Sequence, residues 1–454
     1  MAEHVAIVGA GLAGTEAAHQ LAKRGFSVSL YEMRPTQPTP VHKTDHLAEM
    51  VCSNSLRSDD PYHPVGLLKR EMMAWDSLVI RIAREHAVPA GAALAVDRLG
   101  FSGAMTEAIA ANPNIRLIRE EVAELPVGPA IIAAGPLCSQ GLSRSLYAFL
   151  GDRALYFYDA IAPVVDRDSI DESVVFFQSR YGKGEGDDYL NIPLDEAAYR
   201  SLVQELANAE RTVAKPHEEM IFFEGCLPVE VMAERGVDTL RFGPMKPVGL
   251  TDPRTGEQPY AVLQLRQDNF AKSLWNMVGF QTQLKWGEQK RIFGALPGLT
   301  NARFVRYGMI HRNTFVDSPK HLLPTLQFRK RRDLFLAGQI TGVEGYVESA
   351  AAGLMAAVNM ARFLEGRDLV PFPPTTAMGS LAHYVAFPGH TNFQPTNVNF
   401  GIIAPFQAKR RIRRSERRKL MVERAVRDMK TFSSELGEPL LAVGDWGSGA
   451  KVST

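Results

Sequence analysis

Cysteine is scarce. The 454 residues hold three, Cys52, Cys138 and Cys226, far apart and with no C-x-x-C pair. That spacing excludes a zinc knuckle or a disulfide scaffold, and no metal is expected. Three free thiols suit a reducing compartment. Charge of one sign is also lacking: 51 Lys and Arg face 50 Asp and Glu, a net charge of +1. No global field pulls the chain toward nucleic acid or membrane, so polyanion binding must come from local clustering. No apolar run reaches the ~18 residues that cross a bilayer. No charged-then-apolar leader precedes the first strand pattern, so a cytoplasmic location is expected. What is present is ordinary for a globular protein, 45% hydrophobic and 22% charged residues. The length allows roughly two or three domains.

The first forty residues carry the strongest signal. His4-Val5-Ala6-Ile7-Val8 reads as a strand and ends at Gly9-Ala10-Gly11-Leu12-Ala13-Gly14. A helix is predicted over Thr15–Arg24, stopped by Gly25, and Val28–Tyr31 reads as a second strand ending at Glu32. This is a βαβ unit with G-x-G-x-x-G in its turn. Gly9 permits the turn, Gly11 lets backbone approach a pyrophosphate, and Gly14 lets helix and strand pack. Glu32 is placed to accept from a ribose hydroxyl. Two later segments select FAD over NAD. Pro129–Gly135 and Asp333–Gln339 are apolar strands ending in glycine, the second followed by a Gly-rich turn and a predicted helix over Ser349–Phe363. They resemble the closing strand and the C-terminal FAD motif of two-dinucleotide-binding flavoproteins, with Gly338-Gln339 where many have Gly-Asp. A second G-x-G-x-x-G is absent, so a nicotinamide is expected only as a transient visitor.

The fold class that follows is α/β: an FAD-binding Rossmann-type, glutathione-reductase-like domain with an inserted α+β domain. Its first part is placed at 1–155, with a helical stretch over Ala104–Ala111 after Asp97-Arg98. The insertion is placed at 156–300, with strands predicted at Ser173–Gln178, Met220–Phe223 and Pro259–Leu265 and a helix over Leu194–Ala209. The second part is placed at 301–430, its last helix ended by the Pro371–Pro374 run, followed by an aromatic, Asn-rich stretch from His383 to Phe400. Residues 431–454 read as a flexible tail. Between Lys409 and Lys419 sit eight basic residues on a helix-competent segment. That run is either a solvated helix face or a phosphate-tracking patch.

Several residues could carry chemistry. Cys226 sits in Phe222-Phe223-Glu224-Gly225-Cys226-Leu227-Pro228, where glycine and proline favour a turn. Cys52 sits in Glu49-Met50-Val51-Cys52-Ser53-Asn54-Ser55-Leu56-Arg57, where a nearby cation would favour the reactive thiolate. Each could equally be a small buried hydrophobe. Cys138 reads as structural. His311 lies in a polar segment with Arg312 and Asn313, Gln264–Asn269 is a dense donor and acceptor row after a strand, and Tyr346 opens the helix after the FAD-like strand.

Taken together, these blocks closely resemble one family, the bacterial folate- and FAD-dependent tRNA (uracil-5-)-methyltransferases, TrmFO. The resemblance covers the glycine turn, Tyr31-Glu32-Met33-Arg34-Pro35, the Cys52 and Cys226 blocks, Phe242–Leu250, His311-Arg312-Asn313-Thr314-Phe315, Gly338–Tyr346 and Asn392-Phe393-Gln394-Pro395. It implies transfer of the methylene of 5,10-methylenetetrahydrofolate to C5 of the T-loop uridine of tRNA, with reduction to methyl by FADH2 and electrons from NADPH or NADH. It implies that Cys226 is the thiolate adding to uracil C6, that Cys52 is the second functional cysteine near the flavin, that His311 stacks on the folate pterin, and that Tyr346 lies near the flavin. Cofactor contacts are implied for Gly9, Ala10, Gly11, Leu12, Ala13, Gly14, Glu32, Gly338 and Gln339. Departures from the family pattern are Ala134, Cys138 and Gln283. Three alternatives stay open at this point: the same chemistry on a ribosomal RNA uridine, a flavin-containing RNA-binding factor without methyl transfer, and a metabolic flavin oxidoreductase on a small molecule, which would not need the basic run 409–419.

Overall fold

The structure is a computed structural model and describes residues 4–151, 155–212, 220, 222, 224, 227–406 and 413–442. Strand β1 (His4–Val8) is followed by helix α1 (Leu12–Lys23) and strand β2 (Ser27–Tyr31). With β3 (Ile115–Ile118), β4 (Ala130–Ile132) and a last strand Leu334–Leu336, these build a five-stranded parallel sheet. Its order is Leu334–Leu336, β4, β1, β2, β3. Parallel strands carry side chains into cores on both faces, which explains their unbroken apolar character. Val5, Ile7, Leu30 and Ile131 pack under α1, while Ala130, Ile132 and Leu336 pack on the opposite face. The order places β1 at the centre, so its C-terminal turn opens into the crevice where such sheets bind ligands.

Helix α1 starts at Leu12, three residues before the predicted Thr15. Gly11 is its N-cap, and Gly14 lies inside the first turn, where it masks the helical pattern. The helix predicted over Ala104–Ala111 likewise starts earlier, at Arg98, capped by the Asp97 carboxylate accepting from Gly100 N at 2.8 Å.

Strand β5 (Leu155–Ala160) pairs antiparallel with a strand over Ile310–Phe315, and the two form the neck of the inserted domain. Beyond the neck lies a six-stranded antiparallel sheet, in order Phe176–Phe177, Tyr189–Leu194, Ala261–Gln267, Leu274–Met277, Val164–Asp166, Phe304–Arg306. Its core is backed by helices Glu196–Asn208 and Trp286–Gly294. The inserted sheet therefore reaches Arg306, past the boundary of 300. The row Gln264–Asn269 does not follow a strand: through Gln267 it is the strand, wholly buried. Of the predicted strand Met220–Phe223, Ile221 and Phe223 lie outside the described residues; Phe222 makes an isolated bridge to Tyr158.

After the strand Leu334–Leu336 comes α2 (Tyr346–Leu364), three residues earlier than the predicted Ser349. It ends well before the Pro371–Pro374 run, which precedes a further helix, Ala377–Val385. The last helix, α3 (Arg414–Leu436), corrects the placement of a flexible tail from 431. Met429 and Phe432 are buried, Arg24 Nη2 pairs with Glu438 Oε2 at 2.7 Å, and Leu441 N donates to Ala74 O at 2.8 Å. The chain is thus docked at least to Leu441; residues 443–454 lie outside the described residues. Among the described residues, no helix is long and apolar enough to cross a membrane.

Candidate active site

The three glycines of the first turn do different work. Gly9 has φ +102°, and a Cβ there would strike the Ala133 backbone. A Cβ on Gly14 would overlap the Gly9 carbonyl oxygen. Both are therefore required by the protein's own packing. A Cβ on Gly11 would meet nothing within 4 Å, because Gly11 faces a cavity of about 430 Å³. That size is in the range of small-molecule and cofactor sites. Helix α1 has no side-chain cap, so its first N–H groups and its positive dipole end face the same space. Helix α2 also starts without a side-chain cap, at Gly345, and a Cβ on Gly353 within it would overlap the Ala13 carbonyl oxygen. Such close packing brings both helix N-termini to one cavity, an anion site built of backbone.

Glu32 lines this cavity beyond β2. Its Oε2 accepts from Ala10 N at 3.3 Å, and its Oε1 accepts from Arg34 Nε at 2.9 Å. Burial alone would raise its carboxyl, but the Arg34 guanidinium holds it below the usual range, so it is ionised and ready to accept from a hydroxyl. A pyrophosphate between the helix ends and a ribose against Glu32 fit this donor and acceptor set, so the residues present suit a dinucleotide.

Gly338 and Gln339 line the opposite wall. Gln339 Nε2 donates to both oxygens of Glu344, at 2.8 and 3.0 Å. Burial, and after it the nearby Asp159, pushes the Glu344 carboxyl well up. The glutamine in place of the flavoprotein aspartate is thereby explained: aspartate here would set another carboxylate against Glu344. His311 stands on the neck strand opposite Asp159 in register, with Nε2 4.0 Å from Asp159 Oδ2. Burial lowers its pKa, so the ring is neutral, and its buried Nδ1 has no hydrogen-bond partner.

Cys52 is half-buried on the same cavity, in a loop latched from four elements. Arg98 Nη1 donates to Met50 O at 3.0 Å, and Arg306 Nη1 to Val51 O at 3.3 Å. Arg266 donates to Ser53 Oγ at 2.8 Å and to Asn54 Oδ1 at 3.0 Å. The Tyr346 hydroxyl accepts from Cys52 N at 2.8 Å and from Ser53 N at 3.2 Å. Burial raises the Tyr346 phenol far above its ordinary value, which keeps it neutral. Lys69, pushed down to about 8 by burial, donates to Leu56 O and Ser58 O at 2.9 and 2.7 Å and ties the end of the loop. Tyr346→Phe strands two part-buried N–H groups. It is expected to lower the unfolding free energy by about 1–3 kcal/mol and to speed alkylation of Cys52, read by peptide mass spectrometry.

The sequence-predicted cofactor residues Gly9, Ala10, Gly11, Leu12, Ala13, Glu32, His311, Gly338, Gln339 and Tyr346 all line one cavity with Cys52. Gly14 supports it from behind. Cys226 lies outside the described residues, but Val229 N, just past its block, donates at 2.8 Å to the carbonyl of Gln281, a cavity residue. Cys138 also lines the cavity, its thiol pushed up to about 11 by burial and so held neutral. Gln283 is buried, with its N–H on Glu230 Oε1 at 2.7 Å. Sequence reasoning passed over the latch arginines, Asn54 and Glu344. Only the polar row around Arg266 hinted at them, since charged residues inside a strand need buried partners.

Residues 4–368 match the family described as glucose inhibited division protein A. A methylenetetrahydrofolate–tRNA-(uracil-5-)-methyltransferase TrmFO of Listeria monocytogenes serotype 4b (strain F2365) is 53% identical over 436 residues, 96% of this chain and 100% of that protein. The protein of the same name from Bacillus cereus (strain AH187) is 54% identical over 428 residues, 94% of this chain and 98% of its own length. The chain belongs to the TrmFO family. Among solved structures, Aquifex aeolicus GidA in its form I crystal superposes with a TM-score of 0.70 over 96% of this chain and 76% of its own, at 18% identity. That likeness reports the fold. This chain has an FAD-binding Rossmann-type α/β fold.

Proposed function

We propose that this protein transfers the methylene of 5,10-methylenetetrahydrofolate to C5 of the T-loop uridine of tRNA and reduces it to methyl. The observation that carries this reading is one cavity that joins the glycine turn, two uncapped helix N-termini and the latched Cys52 loop, in a chain 53% identical to a TrmFO over that protein's full length. Gly11, Glu32 and the N-termini of α1 and α2 hold FAD, which when bound supplies the hydride, with NADPH or NADH as reductant. The Cys226 thiolate adds to uracil C6 and turns C5 into a carbon nucleophile, which bonds to the folate-derived methylene carbon as that carbon's bond to its nitrogen carrier breaks. Cys52, fixed by its arginine and tyrosine latch, takes the C5 proton, after which the Cys226 bond to C6 breaks. The neutral His311 ring stacks on the planar pterin.

The tRNA is met by the first turns of α3. Arg413, Arg414, Arg417, Arg418 and Lys419 crowd a helix N-terminus, where the dipole disfavours cations. Arg418 lies 5.5 Å from the Phe400 ring centre, and the charges of Arg57 and Arg418 both bear on His63. Arg57 lines the cavity and pairs there with the buried Glu348. The triple change Arg414→Ala, Arg417→Ala and Arg418→Ala removes repulsion with the dipole and leaves the helix intact. It should weaken tRNA binding and flatten the slope of log K against log salt by up to about 3, measured by filter binding. Unchanged affinity and slope would remove α3 from the RNA face.

The reaction is tested with the FAD-loaded protein, NADPH, methylene-labelled folate, an unmodified tRNA transcript and a ribosomal RNA fragment. Label in the tRNA T-loop supports the reading. Label in ribosomal RNA alone moves the substrate, and no label in either RNA overturns the reading.

A further inference from the structure

Among the described residues only two ring pairs lie within 20° of parallel, and they share a ring. Trp286 stacks on Tyr307 with centroids 5.8 Å apart and planes 19° apart, and Tyr307 stacks on Phe304 at 5.4 Å and 19°. Every other described aromatic pair is tilted by 41° or more. Packed cores use offset-stacked as well as edge-on pairs, so parallel planes alone do not mark a ligand site. What sets this three-ring ladder apart is where it ends: Trp286 is 59% exposed.

The ladder is rigid. Trp286 opens the helix Trp286–Gly294, and Tyr307 sits on the return segment from the inserted sheet to the neck. Buried Gln289 clamps the two, with Nε2 donating to Gly308 O at 2.9 Å and Oε1 accepting from Gly308 N at 2.7 Å. Ladder geometry is thus set before any ligand arrives, which lowers the entropy cost of binding. The polar surroundings are sorted. Lys285 pairs with Glu210 at 2.7 Å, and Arg291 with Glu205 and Glu288 at 2.5 and 2.7 Å. Lys290, exposed and one turn past Trp286 on the same helical face, makes no ion pair among the described residues. An open aromatic face beside a free cation matches a nucleotide, with the base on the ring and the phosphate on the ammonium.

The ladder also lies next to the chemistry along the chain. Arg306, adjacent to Tyr307, reaches the Val51 carbonyl beside Cys52, and His311 lies four residues on, at most about 14 Å of chain from Tyr307. We propose that the Trp286–Tyr307–Phe304 ladder is a stacking platform for an unpaired nucleobase of the RNA substrate near the target uridine, with Lys290 on its phosphate. This rests on the RNA-methyltransferase reading above. The target uridine must leave its own stack before C5 and C6 can be reached, and a second aromatic surface gives a displaced neighbour base a place to go.

The test is binding of an unmodified tRNA transcript to the FAD-loaded full chain over a salt series, for wild type, Trp286→Ala, Trp286→Phe and Lys290→Ala. Trp286→Ala is expected to weaken binding by about 5- to 150-fold, the range of one base stack, with an unchanged salt slope. Trp286→Phe should recover most of the loss, and both variants should keep the thermal midpoint of the wild type, which separates a lost stack on RNA from simple destabilisation. Lys290→Ala should lower the slope by about 0.7, the single-strand value for one phosphate contact. Wild-type binding with Trp286→Ala equal to it overturns the platform alone. A wild type that binds no tRNA overturns the RNA reading and the platform with it.

Discussion

Cys226→Ser is expected to abolish methyl transfer while leaving FAD content and tRNA affinity near wild type. The reaction needs a group that adds to C6 and later leaves. A thiolate does both near neutral pH, whereas a serine hydroxyl is a weak nucleophile unless an adjacent base activates it. Removing the nucleophile of a covalent mechanism costs on the order of 10⁴- to 10⁶-fold in rate. Methyl incorporation into a tRNA transcript under single-turnover conditions measures it. A serine variant within ten-fold of wild type would take Cys226 out of the chemistry. Unchanged transfer would also favour a different nucleophile on the cavity wall, and Cys52 is the half-buried candidate there.

The second large effect separates ligand from fold within a single motif. Gly11→Leu starts from a Cβ that meets nothing within 4 Å, at a φ of −73° that any residue adopts, and it adds volume to a residue lining the cavity. That space is where a pyrophosphate must approach the backbone. FAD affinity is expected to fall by at least ~100-fold, about 2.8 kcal/mol, with the thermal midpoint of the apoprotein nearly unmoved. Gly14→Ala adds less volume but overlaps the Gly9 carbonyl oxygen, so it is the apoprotein's stability that should suffer. Calorimetry of the apo forms, alongside flavin absorbance after reconstitution, distinguishes the two. If Gly11→Leu bound FAD normally, the cavity would not be the dinucleotide site.

How much of this was legible in the sequence follows from the range of the forces involved. The β1–α1–β2 unit was readable because its determinants are local: an apolar strand, glycines at fixed offsets and an acid at the end of the second strand. Helix starts were misplaced wherever glycine stands in the first turns, as at Gly14 in α1 and at Gly100 and Gly103 in the helix from Arg98. Low intrinsic propensity there is overridden by capping and tertiary packing. The tail beyond 431 has a polar, glycine-bearing composition, yet Phe432 is buried and Arg24 pairs with Glu438 from the far end of the chain. The Cys52 latch was illegible for the same reason. Cys52 itself stood out, but Arg266 and Arg306 reach it from more than two hundred residues away and bind carbonyls and side chains that carry no local pattern. Glu344 was hidden differently: a carboxyl whose pKa is pushed up by burial looks in sequence like any other.

The most direct test of the central claim is the isotopic composition of the transferred group. The FAD-loaded protein is given NADPH, tRNA transcript and methylenetetrahydrofolate carrying two deuteriums on the methylene carbon. The account predicts 5-methyluridine in the T-loop whose methyl group carries both deuteriums and one further hydrogen delivered by reduction. A product without deuterium would show that the carbon does not come from the folate methylene, and would contradict the account.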